Sequence, residues 1–139
     1  MTQTITPYLL YEEVDAALEF LDRAFGFEEV LRFTGEQGYV NHAEARFGDA
    51  AVYLGDPGDD YRNPNRLGQE TVGIYVLVDD VDAHYRRAKA AGAEIVAGPE
   101  DQDYGDRRYT ARDPEGHHWF FAQQIRQAEP EEWGATVSG

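Results

Sequence analysis

The sequence predicts an α+β protein made of two βαβββ modules in one chain, with mixed sheets and helices on their outer faces. Three observations carry that expectation. Tyr11-Glu12-Glu13-Val14-Asp15-Ala16 returns later as Val78-Asp79-Asp80-Val81-Asp82-Ala83, and an internal repeat of this kind decides the architecture before any single element does. Each copy follows an apolar run and opens a helical pattern. After each helix come three strand-like stretches parted by turn residues.

Thr4 to Tyr11 reads as the first strand. Val14, Ala17, Leu18, Leu21, Ala24 and Phe25 then recur at the spacing of one helix face. Gly26 ends that helix, because glycine enters a left-handed cap at little steric cost. Glu28 to Thr34, Tyr39 to Phe47 and Ala50 to Leu54 follow as strands, with turns at Gly35 and Gly38 and at Gly48-Asp49. The stretch from Gly55 to Arg66 is rich in Gly, Pro, Asp and Asn. It reads as a long loop, of the kind that often serves as a lid or partner contact.

In the second copy, Thr71 to Val78 is a continuous apolar run and suits a strand covered on both faces. Val81, Tyr85, Ala88 and Ala91 trace a weaker helical stripe behind an Asp80 N-cap, and Gly92 stops it. Glu94 to Ala97, Arg107 to Arg112 and His117 to Gln123 complete the set. Asp113-Pro114-Glu115-Gly116 makes a tight turn before the last strand. These elements predict one domain over residues 1–126, with module one at about 4–56, a linker at 57–69, module two at about 70–124, and a polar acidic tail at 127–139 onto which Trp133 docks back.

Composition narrows the function. The 139 residues include no cysteine, which removes disulfides, thiolate nucleophiles and zinc–thiolate sites. Net charge is −15, from 27 acidic and 12 basic residues. Such a chain is repelled by nucleic acid and by anionic membranes, so neither is expected as a partner. The charge favours neutral or cationic ligands, or simply keeps the surface solvated. No apolar run approaches the roughly 20 residues that span a bilayer. The start MTQTITPYLL lacks a basic region and a cleavage site, so no signal peptide and a cytoplasmic location are expected.

The module order and several segments resemble the vicinal oxygen chelate superfamily, which holds glyoxalase I, bleomycin resistance proteins and extradiol dioxygenases. The segments are Pro7-Tyr8-Leu9-Leu10-Tyr11, Asn41-His42-Ala43-Glu44, Tyr104-Gly105-Asp106-Arg107 and, most specifically, Asp113-Pro114-Glu115-Gly116-His117. The likeness runs from about Ile5 to Gln124. It implies sheets that curl around a cavity and a homodimer whose two chains both wall it. It also implies a place for a divalent metal held by His and Glu from the first and last strands of the modules. At those places this chain carries Thr6 or Tyr8, Val52 or Tyr53, Gly73 and Phe120. None is a usual ligand, and His117-His118-Trp119-Phe120-Phe121-Ala122 holds no carboxylate in any register. No metal and no other cofactor is therefore expected, with a divalent metal as the less favoured alternative.

The same positions say which residues face the cavity. Strand alternation puts Tyr8 and Leu10, Tyr75 and Leu77, and His118, Phe120 and Ala122 there. Tyr104 lies on a loop beside them. Tyr8, Tyr75, Tyr104, His118 and Phe120 are thus candidate ligand-binding residues, in a lining that suits a small organic molecule or merely fills the core. His42 and Glu44 share one strand face and are candidate catalytic residues, with Glu44 orienting the imidazole. A polar ladder on an exposed or dimer-facing strand fits them equally. His117 reads as structural, and His84 as a surface helix residue. Three functions stay open: a metal-free binder of an aromatic or cationic compound, of the antibiotic-resistance type; a metal-dependent lyase, isomerase or dioxygenase; and a metal-independent enzyme using His42 with Glu44.

Overall fold

A computed structural model describes residues 3–139. Its strands form two four-stranded mixed sheets of the same topology. In module one, β1 (Tyr8–Leu10), β2 (Glu28–Thr34), β3 (Val40–Phe47) and β4 (Ala50–Gly55) are ordered β1-β4-β3-β2. In module two, β5 (Gly73–Leu77), β6 (Glu94–Asp101), β7 (Asp106–Arg112) and β8 (His118–Gln124) are ordered β5-β8-β7-β6. The first strand of each module runs parallel to the last, and the other pairings are antiparallel.

The helices α1 (Val14–Phe20) and α3 (Val81–Ala90) cover one face of their sheets. Helix α1 continues into a wider π turn over Leu21–Phe25, and Gly26 closes it at φ 82°. This turn carries Phe25 into module two, where its ring packs on Trp119 and Phe121 at 5.6 and 4.7 Å. One hydrophobic cluster thus joins the helix-covered faces of both sheets, from Leu9, Ala43 and Leu54 to Tyr109, Trp119 and Phe121.

The turn before β8 ties the modules together. Asp113 Oδ2 accepts from the Tyr11 hydroxyl at 2.6 Å and from the Trp119 indole at 3.1 Å, all three being buried. The Glu115 carboxylate accepts from the backbone N–H groups of Glu12 and Glu13, which lead into α1, at 2.7 and 2.9 Å. His117 is buried, and its Nε2 donates to the Leu10 carbonyl at 2.7 Å, as a structural histidine does.

Several expectations change. The loop after β4 contains a short helix, α2 (Pro64–Leu67), with Asn63 as N-cap, Pro64 in the first turn and Gly68 as left-handed C-cap. Arg66 pairs with Glu12 at 2.6 Å and Asn63 Nδ2 donates to Glu115, which pins this segment to the module junction. Strand β5 is covered on one face only: Ile74 and Val76 are half-buried, while Tyr75 and Leu77 are 44% and 64% exposed. The apolar run reflects an unpaired second face rather than double burial. His84 is not a surface residue. Its ring packs at a tilt on Phe121 at 4.3 Å, its Nε2 donates to the Phe25 carbonyl at 2.8 Å, and its Nδ1 accepts from the Tyr109 hydroxyl at 2.6 Å. Burial pushes its pKa down.

Candidate functional site

The sheet faces away from the helices are open, and they hold the candidate residues. In module two, strand pairing sets Gly73 beside His118, Tyr75 beside Phe120 and Leu77 beside Ala122, all on the open face. Tyr75 stacks on Phe120 at 6.2 Å. Its hydroxyl donates to Asp106 Oδ2 at 2.6 Å and lies 3.1 Å from the Tyr104 hydroxyl. Burial, with the Asp106 and Tyr104 bonds, pushes the Tyr75 pKa far up, so the hydroxyl stays a donor. From the neighbouring strand, the Arg108 guanidinium lies over the Phe120 ring at 5.3 Å and donates to the Tyr104 hydroxyl at 3.1 Å. Tyr104 also meets Trp133 edge-on at 5.9 Å, where the tail makes a 3-10 turn over Pro130–Trp133.

The structure therefore brings Tyr75, Tyr104 and Phe120 together. The sequence reading missed Asp106 and Arg108 as partners in this cluster. Their alternation on β7 was the available signal, since each falls beside a residue of the open face of β8. His118 stands at the edge of the group. Its Nε2 accepts from Arg112 Nε at 2.8 Å, and Arg112 in turn pairs with Glu94. A polar hollow of about 280 Å³ adjoins it, lined by Asn65, Glu70, Arg112 and Gly116 among others.

In module one, Tyr8 lies opposite Tyr53, and His42 lies on the next strand. The Tyr8 hydroxyl is 2.9 Å from His42 Nδ1, and the His42 ring meets both tyrosines edge-on. Among the described residues no hydrogen bond joins Glu44 to His42; Tyr8 is the group that orients the imidazole. Tyr8 and His42 form a separate cluster from Tyr75, Tyr104 and Phe120 within the chain.

The places at which the resemblance implies metal ligands can be tested on side-chain space. The Phe120 ring fills the position a Cβ at Gly73 would take. In module one Tyr8 is itself one of those places, and its ring fills the space beside Gly55. At Gly73 and Phe120 in module two, and at Tyr8 in module one, the chain offers aromatic rings where the resemblance implies imidazole and carboxylate donors. Among the described residues no three His, Asp or Glu side chains converge on one point. No helix there is long and apolar enough to cross a membrane.

Comparison with known proteins supports the architecture. The chain is 36% identical to "Uncharacterized protein Mb0911c" of Mycobacterium bovis, over 96% of this chain and 91% of that one. The crystal structure of TioX from Micromonospora sp. ML1 superposes with a TM-score of 0.73 at 35% identity, covering 89% of this chain and all of that one. A glyoxalase/bleomycin resistance protein/dioxygenase from Nocardioides superposes with a TM-score of 0.70 at 20% identity, over 99% and 91% of the two chains, and shares the fold. The model of the Glyoxalase/Bleomycin resistance protein/Dioxygenase superfamily matches residues 4–121. With its paired βαβββ modules and its Asp-Pro-Glu-Gly-His turn, the chain belongs to that superfamily.

Proposed function

We propose that this chain is a metal-free, homodimeric binding protein that sequesters a small aromatic compound between the open faces of its sheets, as a resistance protein would. The observation that carries the reading is the Tyr75–Phe120 stack, with the Phe120 ring seated over Gly73. Stacked rings beside fixed hydroxyl and carboxylate groups suit a flat organic ligand. The homodimer is supported by what the single chain leaves in water: Tyr8, Phe33 and Leu77 on the open faces are 53%, 59% and 64% exposed. Apolar surface so concentrated on the open faces favours a covering partner.

The test is metal analysis of untagged protein purified without chelator, with thermal shifts across divalent metals and small aromatic compounds. Stabilisation by an aromatic compound without added metal is expected. About one metal per chain, with a metal-dependent shift, would overturn the reading. Light scattering checks the dimer; a monomer at all concentrations would remove the second wall of the cavity.

One observation favours a metal-independent enzyme as a second reading. Tyr8 engages His42 Nδ1 and leaves Nε2 without a partner among the described residues. An imidazole held this way could exchange a proton with a ligand.

A further inference from the structure

Resting on that reading, we propose that the ligand carries an anionic group, a carboxylate being the simplest case, attached to its aromatic ring, and that Arg108 pairs with it.

The chain has 27 acidic residues against 12 basic ones, so a half-buried arginine has ample choice of partners. Its neighbours on β7 take them. Arg107 pairs with Asp82 and Asp101 at 3.0 and 2.9 Å, and Arg112 pairs with Glu94 at 3.2 Å. Arg108 lies between them in sequence, yet among the described residues it forms no ion pair. Two carboxylates stand near enough by register to have done so. Glu100 is its cross-strand partner on β6, and Asp106 is two residues back on the same face. Asp106 instead accepts from Tyr75.

What holds Arg108 is a neutral hydroxyl and a ring face. The Tyr104 contact uses one Nη1 N–H and leaves the rest of the guanidinium fork for another acceptor. A planar fork beside stacked rings matches a carboxylate borne on an aromatic ring, since one surface meets each part of the ligand. The local chemistry thus runs against the acidic charge of the whole chain, which by itself favours neutral or cationic ligands.

The experiment is calorimetric titration of the full-length protein with naphthoate, naphthamide and naphthylmethylamine, which share one ring system. Naphthoate is expected to bind about tenfold tighter than naphthamide, the gain of a charge-assisted pair. Arg108→Gln should reduce naphthoate to the level of naphthamide and change naphthamide by less than about twofold. Arg108→Lys should keep part of the preference, and thermal midpoints establish that each variant is folded. Arg86→Gln removes an equal charge from an exposed position on α3 and should leave the preference intact. The proposal falls if naphthoate and naphthamide bind alike, if the amine binds tightest, or if Arg86→Gln has the effect of Arg108→Gln. In those cases aromatic binding itself still stands. Binding of none of the three compounds would overturn the aromatic-ligand reading, and the proposal with it.

Discussion

On the open face of module one, Tyr8 lies opposite Tyr53; at the same place in module two, Tyr75 lies opposite Phe120. One strand further on, the first face offers His42, paired in register with Gly55, and the second offers Arg108, paired with Ala122. The repeat has kept two rings in each sheet and changed the polar group beside them. An imidazole serves one face and a guanidinium the other. The helix-covered faces are also unequal. Helix α1 and its π turn bury Val14, Ala17, Leu18, Phe20, Leu21, Ala24 and Phe25, whereas α3 buries only Val81 and Ala88. Module one therefore supplies much of the core that module two needs.

The largest effect should come from breaking that loan. Phe25→Ala empties a site between Trp119, Phe121 and His84 and should cost about 3–5 kcal/mol in urea denaturation. Loss of a single cooperative transition, with module two unfolding first, is the sharper sign. Asp113→Ala strands the buried Tyr11 hydroxyl and Trp119 indole and should cost about 3 kcal/mol. A loss below about 1 kcal/mol would mean that the turn does not join the modules.

The His84 contact gives the junction a pH dependence. Burial lowers the folded-state pKa, so the unfolded chain binds the proton more readily. The contribution to stability is whole above the unfolded value near about 6.5 and is lost as pH falls through the folded value. Stability should therefore decline as pH falls below about 6.5, and His84→Gln should flatten that part of the profile. An unchanged slope in the variant would assign the decline to other groups.

Smaller effects compare the two open faces. Tyr75→Ala should weaken aromatic binding by up to about tenfold through lost stacking, and Tyr8→Ala by less if module two leads recognition. Equal losses would make both platforms part of one cavity. His42→Ala should change stability by less than about 0.5 kcal/mol, because it touches no core residue beyond its neighbouring rings. Loss of a measurable turnover in that variant would favour the enzyme reading.

Much of the backbone was legible in the sequence. Strand β2 has the predicted bounds, β3 and β4 differ by one residue, and the alternation on β5 and β8 names their open face correctly. The first strand is shorter than Thr4 to Tyr11, because only Tyr8 to Leu10 finds a partner in β4. Helix α2 hid in a run of loop-forming residues, although Asn63, Pro64 and Gly68 spell its two caps. His84 could not be read locally. Its polar neighbours mark an exposed helix, and its burial depends on Phe25 arriving from the other module. Arg108 was overlooked for a related reason: its unpaired state shows only once the partners of Arg107 and Arg112 are known.

The bonds that close the structure join its two ends. Tyr11 to Asp113 spans 102 positions, and His117 to Leu10 spans 107. During synthesis, the first helix emerges long before the carboxylate that binds the amides leading into it. The first half of the chain must wait, partly formed, until the last strand leaves the ribosome, and long-range closure of this kind slows folding. A nascent chain stalled before Asp113 should therefore be open to proteases throughout module one, and release of only a few more residues should close both halves at once.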